Sequence, residues 1–280
     1  MSKLILSAFA DEYSSNFDEQ LAVLNELGIS HIELRFVDGK NVSTLSDEEI
    51  DAVEEKLHKA NIRVSSIGSP LGKIKLDEDM DAHIQTAEKL CALAKRLNTK
   101  FMRVFSFYLP DGKTRAECRD EVFAALERLL DIADKYGVTL CHENEANIYA
   151  ESPEYCLDIL QYFKGRLKAV FDMGNFALDG YEPYPKAYEM LRPYIAYFHV
   201  KDALSAGAIV PPGKGEGKIQ EIFKAYKQTM TADTFVTLEP HLQTFSGLNA
   251  LASKDFDNPY KFESQEIAFK IAFEELCKLV

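Results

Sequence analysis

Four ionisable residues stand at the ends of four consecutive apolar runs in the second half of the chain. In chain order they are Glu143, Asp172, His199 and Glu239. If each run is a β-strand, the alternation of side chains puts all four on the same face, opposite the aliphatic residues between them. Clustered carboxylates repel one another and raise each other's pKa, and a divalent cation between them removes that cost. The spacing therefore predicts a metal site whose ligands are these four residues.

The donor types narrow the choice of ion. Oxygen ligands with one imidazole suit Mn²⁺, Mg²⁺, Fe²⁺, Co²⁺ or Zn²⁺, and the absence of a cysteine ligand disfavours a structural zinc site. We expect one divalent ion, with Mn²⁺ first and the others as alternatives. Within "HENE", His142 falls on the opposite face from Glu143, and Glu145 is the alternative ligand if the strand bulges.

Further polar residues share the inward face of these runs or follow it. Lys201, two residues after His199, is expected to contact a substrate oxygen or an anionic group, and Asp202 to orient a neighbouring ligand. Arg103 is a plausible clamp for a substrate oxyanion. Its orientation is ambiguous, because two phenylalanines share its parity.

Two more positions are open to more than one interpretation. In "HIELR", Glu33 and Arg35 both face inward, and they could bind substrate or pair with each other structurally. His241, two residues after Glu239, is expected to contact the ligand residues without binding the ion itself. The glycine-containing segments 68–73 and 211–218 could hold a phosphate, form a lid or be plain turns.

The elements that must position these residues repeat along the chain. Eight apolar runs begin near residues 4, 31, 63, 101, 139, 169, 196 and 235, and amphipathic helix patterns separate them. Such alternation predicts parallel strands joined by helices, and eight units in 280 residues predict an α/β fold, a (β/α)8 TIM barrel forming a single domain over residues 1–280. An open doubly wound sheet is the alternative, but "SAFADEYSS" after the first run lacks its glycine-rich turn. The irregular stretch from 241 to about 262 is a possible lid.

Composition limits the partners. The chain carries 32 Lys and Arg against 45 Asp and Glu, a net charge of -13, which argues against nucleic acid. No run approaches the roughly 20 apolar residues of a membrane span, so we expect no membrane partner. Five scattered cysteines suit a reducing, cytoplasmic environment. A homo-oligomer remains open.

The motifs "HENEANIY", "FDMGNF", "FHVKDA" and "TLEPHL" resemble those of the xylose isomerase-like TIM barrel superfamily, which includes sugar (phosphate) isomerases and epimerases. The resemblance covers essentially the whole chain. It implies that the four ligand residues bind one divalent cation and that Glu143 and Glu239 also act as the catalytic acid/base pair. Asn175 stands where several members have histidine, so we expect it to hydrogen-bond substrate without shuttling protons.

The implied activity is metal-dependent isomerisation or epimerisation of a sugar or sugar phosphate, by proton transfer through a cis-enediolate. The same metal site would serve an inosose-type dehydratase, which eliminates water after the same proton abstraction. A non-catalytic sugar-binding barrel is a further alternative. An endonuclease-like enzyme would need more metal ligands and a basic groove, which the net charge of -13 disfavours.

Overall fold

Eight parallel strands close into a barrel in the computed structural model, which describes residues 2–205, 207–242 and 260–280. The strands are β1 (Leu4–Ala8), β2 (His31–Leu34), β3 (Arg63–Ile67), β4 (Phe101–Val104), β5 (Thr139–Glu143), β6 (Leu167–Asp172), β7 (Ile195–Val200) and β8 (Thr234–Leu238). Each strand pairs with the next in the chain, and β1 closes the barrel against β8 from Leu4↔Thr234 to Ala8↔Leu238. The predicted (β/α)8 barrel is confirmed.

Helices follow the strands and form the outer layer. They are α1 (Phe17–Glu26), α2 (Asp47–Ala60), α3 (Met80–Arg96), α4 (Arg115–Tyr136), α5 (Pro153–Tyr162), α6 (Met173–Leu178), α7 (Tyr188–Leu191), α8 (Ile219–Thr229) and α9 (Gln265–Cys277). Local sequence sets their ends: Ser46 forms a capping box with Glu49 at the start of α2, and Pro153 occupies the first turn of α5 behind its cap Ser152. No helix in the described part of the chain is long and apolar enough to cross a membrane.

The barrel interior changes character from bottom to top. Near the amino-terminal ends of the strands, Cys141, Val170 and Tyr197 form a small buried cluster. Above it lie polar groups, where Tyr197 donates from its hydroxyl to Glu33 and Thr237 does the same. The large aliphatic and aromatic core instead lies between strands and helices. Among the described residues, the buried acidic and basic side chains of the barrel interior lie towards its carboxyl-terminal mouth.

Two short antiparallel hairpins stand on the mouth side. One joins Phe36–Val37 to Lys40–Asn41 after β2, and the other joins Asp202–Leu204 to Ala208–Val210 after β7. The expected lid after β8 falls largely on residues 243–259, which lie outside the described residues.

Candidate metal centre

The four predicted ligands meet at the mouth of the barrel. Glu143, Asp172, His199 and Glu239 are all buried, and each offers a donor atom within 4.8 Å of the other three. His199 Nδ1 lies 3.0 Å from Glu143 Oε1 and 3.3 Å from Glu239 Oε2. They come from four neighbouring strand ends, as the alternation of β5 to β8 predicts.

The hydrogen bonding of these carboxylates fits a bound cation. Glu143 Oε2, Asp172 Oδ2 and Glu239 Oε2 are buried and accept no hydrogen bond within the described residues. Buried polar atoms in native proteins almost always have a hydrogen-bond partner. Carboxylate oxygens together with an imidazole nitrogen form a donor set that suits a divalent ion. The residues present therefore fit a divalent metal.

His199 is held from below by a carboxylate that is not among the four ligands. Its Nε2 lies 3.0 Å from Glu33 Oε2, and its Nδ1 faces the ligand cluster. Glu33 is fully buried beneath the ring, so its position differs from that of an open substrate contact.

Asp172 and Asn175 are fixed by the start of α6. Asp172 is the N-cap of this helix, and its Oδ1 accepts a hydrogen bond of 2.8 Å from the backbone N–H of Asn175. The Asn175 amide donates to the carbonyl of Asn144 at 2.8 Å and approaches Glu143 Oε1 at 3.5 Å. One Asp172 oxygen is thus used in capping, and the other points into the cluster.

Two basic side chains line the cluster. Lys201 Nζ lies 3.3 Å from Asp172 Oδ2 and 3.7 Å from Glu239 Oε2. Arg103 faces inward, with Nη1 3.3 Å from Glu143 Oε2. Both are at most 3% exposed, so these ion pairs are shielded from solvent.

Arg35 lies at the centre of a second group of charges, and it does not pair with Glu33. Its guanidinium donates to Asp11 at 2.9 Å, to Glu12 at 3.1 Å and to Glu239 at 2.8 Å. Asp11 and Glu12 belong to a 3₁₀ turn after β1 and were not predicted. The available signal was their place directly after the first strand, where barrel enzymes carry functional residues.

His241 contacts two of the carboxylates that bind Arg35, and one of them is Glu239, as its position in the sequence predicts. Its Nε2 is 3.3 Å from Glu12 Oε1 and 3.5 Å from Glu239 Oε1, and its Nδ1 is 3.3 Å from Lys201 Nζ. Glu12, Glu239 and His241 also lie close enough together to hold an ion. The Arg35 guanidinium already contacts both carboxylates of this set.

Crowding shifts the protonation of the cluster. Burial alone would lower the pKa of His199, but the surrounding carboxylates, Glu33 first, raise it well above its usual value. Burial raises the pKa of Asp172 to about 7, although Lys201 opposes this shift. Burial would also raise the pKa of Glu239, yet its cationic neighbours, Lys201 first, hold it well below the usual range.

The prediction that Asp202 orients a ligand is not what the structure shows. Its Oδ2 accepts backbone N–H groups of Gly213 and Gly215 at 2.8 and 2.9 Å, and its Oδ1 accepts those of Gly217 and Ala203 at 2.9 and 3.0 Å. Lys201 points into the barrel, and its neighbour Asp202 points away from the barrel interior, where it holds the glycine segment 211–218. A Cβ on Gly215 would lie 2.3 Å from its Oδ1.

The remaining residues of "HENE" lie outside the four-ligand cluster. His142 is buried and lies 3.0 Å, through Nε2, from the Ser106 hydroxyl. Glu145 pairs with Lys73, from the glycine segment 68–73, at 2.9 Å. Segment 68–73 therefore supplies a charge at the edge of the mouth.

The chain resembles known proteins at the level of family and fold. A family model described as xylose isomerase-like TIM barrel matches residues 21–257. No curated protein matches the sequence. Similar solved structures include D-allulose 3-epimerase from Methylomonas sp. in complex with D-allulose, with a TM-score of 0.76 and 15% identity over 100% of this chain and 98% of that one.

Two further structures have the same fold. The IOLI protein with a bound zinc atom has a TM-score of 0.74 and 18% identity over 99% of this chain and 98% of that one. The probable 3-DHS dehydratase AsbF from Bacillus anthracis has a TM-score of 0.72 and 19% identity over 99% and 98%. These TM-scores establish a shared fold, and the family model spans most of the sequence. The protein belongs to the xylose isomerase-like TIM barrel family.

Proposed function

We propose that this protein is a divalent-metal-dependent isomerase or epimerase of a sugar. The observation that carries the proposal is the buried cluster of Glu143, Asp172, His199 and Glu239, in which one oxygen of each carboxylate accepts no hydrogen bond in the described chain. Membership of a family with sugar-processing relatives supports the same choice, since one structural neighbour is described as an epimerase in complex with D-allulose.

A bound divalent ion would polarise a substrate carbonyl and acidify the adjacent carbon. The chain's own part is proton transfer by Glu143 and Glu239, which stand on β5 and β8 at the two ends of the four-strand arc. One oxygen of each would hold the ion, and the other would take a proton or return it. Return to the opposite face of the same carbon epimerises the sugar, and return to the neighbouring carbon isomerises it.

Neighbouring side chains would bind the substrate hydroxyls. Lys201 and Arg103 can donate to oxygen atoms, and Asn175 can donate without exchanging protons near neutral pH. Lys201 and Arg103 already lie beside the acidic groups Asp172 and Glu143. Because both cations are already paired, the arrangement favours an unphosphorylated sugar, which offers only uncharged hydroxyls. A sugar phosphate would need an unpaired cation to bind its phosphate group.

The metal assignment can be tested by elemental analysis of alanine variants of the four ligands. Each variant should lose bound metal while its helical circular dichroism is retained. Glu145→Ala is the matched control, because Glu145 is a nearby carboxylate that pairs with Lys73 and lies outside the cluster. Full metal retention in any two of the ligand variants would sink the assignment.

The chemistry can be tested by incubating a panel of ketoses and aldoses in D₂O. A substrate should acquire deuterium next to its carbonyl. Glu239→Gln, which keeps one ligating oxygen, should bind metal but exchange about 10²-fold more slowly or worse. Turnover without exchange, together with full activity in Glu239→Gln, would rule out two-carboxylate proton transfer. A product that lacks the elements of one water molecule relative to the substrate would instead identify a dehydratase.

A further inference from the structure

The Glu33 carboxylate is placed to control which nitrogen of His199 faces the ligand cluster. Glu33 Oε2 lies 3.0 Å from His199 Nε2 and accepts the Thr237 hydroxyl at 2.8 Å, while Glu33 Oε1 accepts the Tyr197 hydroxyl at 2.9 Å. The Tyr197 hydroxyl in turn lies 2.9 Å from the Ser66 hydroxyl. Glu33 and His199 are both fully buried, so no solvent competes for these bonds.

The chemistry of the two groups suits one direction of the contact when a cation lies on the Nδ1 side of the ring. An ionised carboxylate only accepts hydrogen bonds, so Glu33 is then satisfied by an N–H on His199 Nε2. When the ring carries a single proton, its lone pair then lies on Nδ1, which is the nitrogen that faces Glu143 and Glu239. A histidine that binds a metal commonly donates its other N–H to a carboxylate, which orients the ring and makes the ligating nitrogen more basic.

We propose that Glu33 is a positioning residue for the metal centre: it selects Nδ1 of His199 as the ligand atom and raises the affinity of the site for a divalent ion. This inference rests on the metal centre of the proposed function. It assigns Glu33 a role different from the substrate contact that the sequence indicates. Glu33 itself touches neither ion nor substrate and acts only through His199.

A purely structural role is the competing explanation, because Glu33 also holds Tyr197 and Thr237 in the barrel interior. The two roles differ in what a substitution changes. Loss of a structural contact lowers stability with and without metal equally. Loss of the positioning contact weakens metal binding and alters the geometry of the bound ion.

The test uses Co²⁺, whose visible absorption reports ligand geometry, with the full-length protein stripped of metal by a chelator. Glu33→Gln keeps the size of the side chain but removes its charge, and it should weaken Co²⁺ binding about 10-fold to 100-fold and change the absorption spectrum. Tyr197→Phe is the matched control. It removes one bond to Glu33 and leaves the His199 contact, so its Co²⁺ affinity should stay within about 2-fold of the wild type.

Glu33→Asp provides a second variant if Glu33→Gln does not fold. It keeps the charge but shortens the side chain and so withdraws the carboxylate from His199 Nε2, which should weaken Co²⁺ binding more than Tyr197→Phe does; wild-type affinity and spectrum in this variant would overturn the inference. Equal Co²⁺ affinity and an identical spectrum in wild type and Glu33→Gln would overturn the inference alone. A wild type that binds no Co²⁺ would overturn it together with the metal centre. A wild type that binds Co²⁺ without acting on any sugar would overturn only the proposed reaction.

Discussion

Replacing Asp202 by asparagine should destabilise the protein by an amount that follows from its contacts. The carboxylate accepts four backbone N–H groups at 2.8 to 3.0 Å, two on each oxygen. Asparagine keeps one acceptor oxygen, and its amide N–H₂ would face two N–H donors that have no other partner in this arrangement. Hydrogen bonds to a charged group contribute about 1.5–3 kcal/mol each, so the loss of two corresponds to about 3–6 kcal/mol.

The low end of that range is the expected value. Burial raises the pKa of Asp202 although the four N–H groups oppose it, so the charged carboxylate pays a desolvation cost that asparagine avoids. We therefore expect a loss of about 3 kcal/mol, or a fall in Tm of about 5–10 °C, measured by urea and thermal denaturation at pH 7.5. The glycine segment should also lose its fixed position, because a single Asp202 side chain holds three of its N–H groups.

Asp233→Asn is the control for this substitution. Asp233 is exposed and accepts a bond of 3.0 Å from the backbone N–H of Lys3, so its replacement should cost less than about 1 kcal/mol. If Asp202→Asn cost no more than Asp233→Asn, the four short bonds would not be holding the segment, and the reasoning from acceptor count would be refuted.

Two further predictions concern the other buried charges. Burial lowers the pKa of His142 from its usual 6.5 to about 3. Between pH 6.5 and pH 3 the folded state therefore binds fewer protons than the unfolded state, and the protein loses stability as the pH falls through this range. His142→Gln lacks this penalty, so the stability gap between wild type and variant in urea denaturation should narrow by about 2 kcal/mol from pH 7 to pH 5, and a constant gap would contradict it. Arg35→Met leaves the buried carboxylates of Asp11, Glu12 and Glu239 without their guanidinium. With metal removed by a chelator, it should lower the free energy of unfolding by about 3–5 kcal/mol. An unchanged urea midpoint would show that these groups are uncharged in the native protein.

Strand alternation predicted that Glu143, Asp172, His199 and Glu239 would converge, because it determines which face a side chain occupies. It placed Glu143 and Asp172 inward on β5 and β6, and the structure brings their oxygens together. The ambiguity over Arg103 arose from Phe105 and Phe107, which lie beyond the end of β4 at Val104 and so do not share its alternation. Phe107 has a positive φ of 66°, which no strand residue adopts.

Alternation does not reveal how deep in the barrel a side chain lies. Glu33 and Arg35 share the inward face of one run, yet Glu33 lies beneath His199 and Arg35 binds the carboxylates after β1 and β8. Depth depends on the stagger between strands that are far apart in sequence, and no local pattern records it. Asp202 shows the same limit, because its three glycine partners lie 11 to 15 residues away in a turn whose path depends on tertiary contacts.

The balance of charge at the mouth gives a reason for a cation that does not depend on any one ligand. The carboxylates gathered there are those of Asp11, Glu12, Glu33, Glu143, Glu145, Asp172 and Glu239, and the basic side chains are those of Arg35, Lys73, Arg103 and Lys201. The acids outnumber the fixed cations although nearly all of these groups are buried, and uncompensated buried charge is costly. Without metal, the protein can reduce that cost by holding protons, and burial does raise the pKa of Glu12 to about 8. A divalent ion among Glu143, Asp172 and Glu239 would add positive charge at a point where no single arginine or lysine of the described residues contacts all three carboxylates. The excess of acid is therefore what a barrel mouth built around a cation should contain.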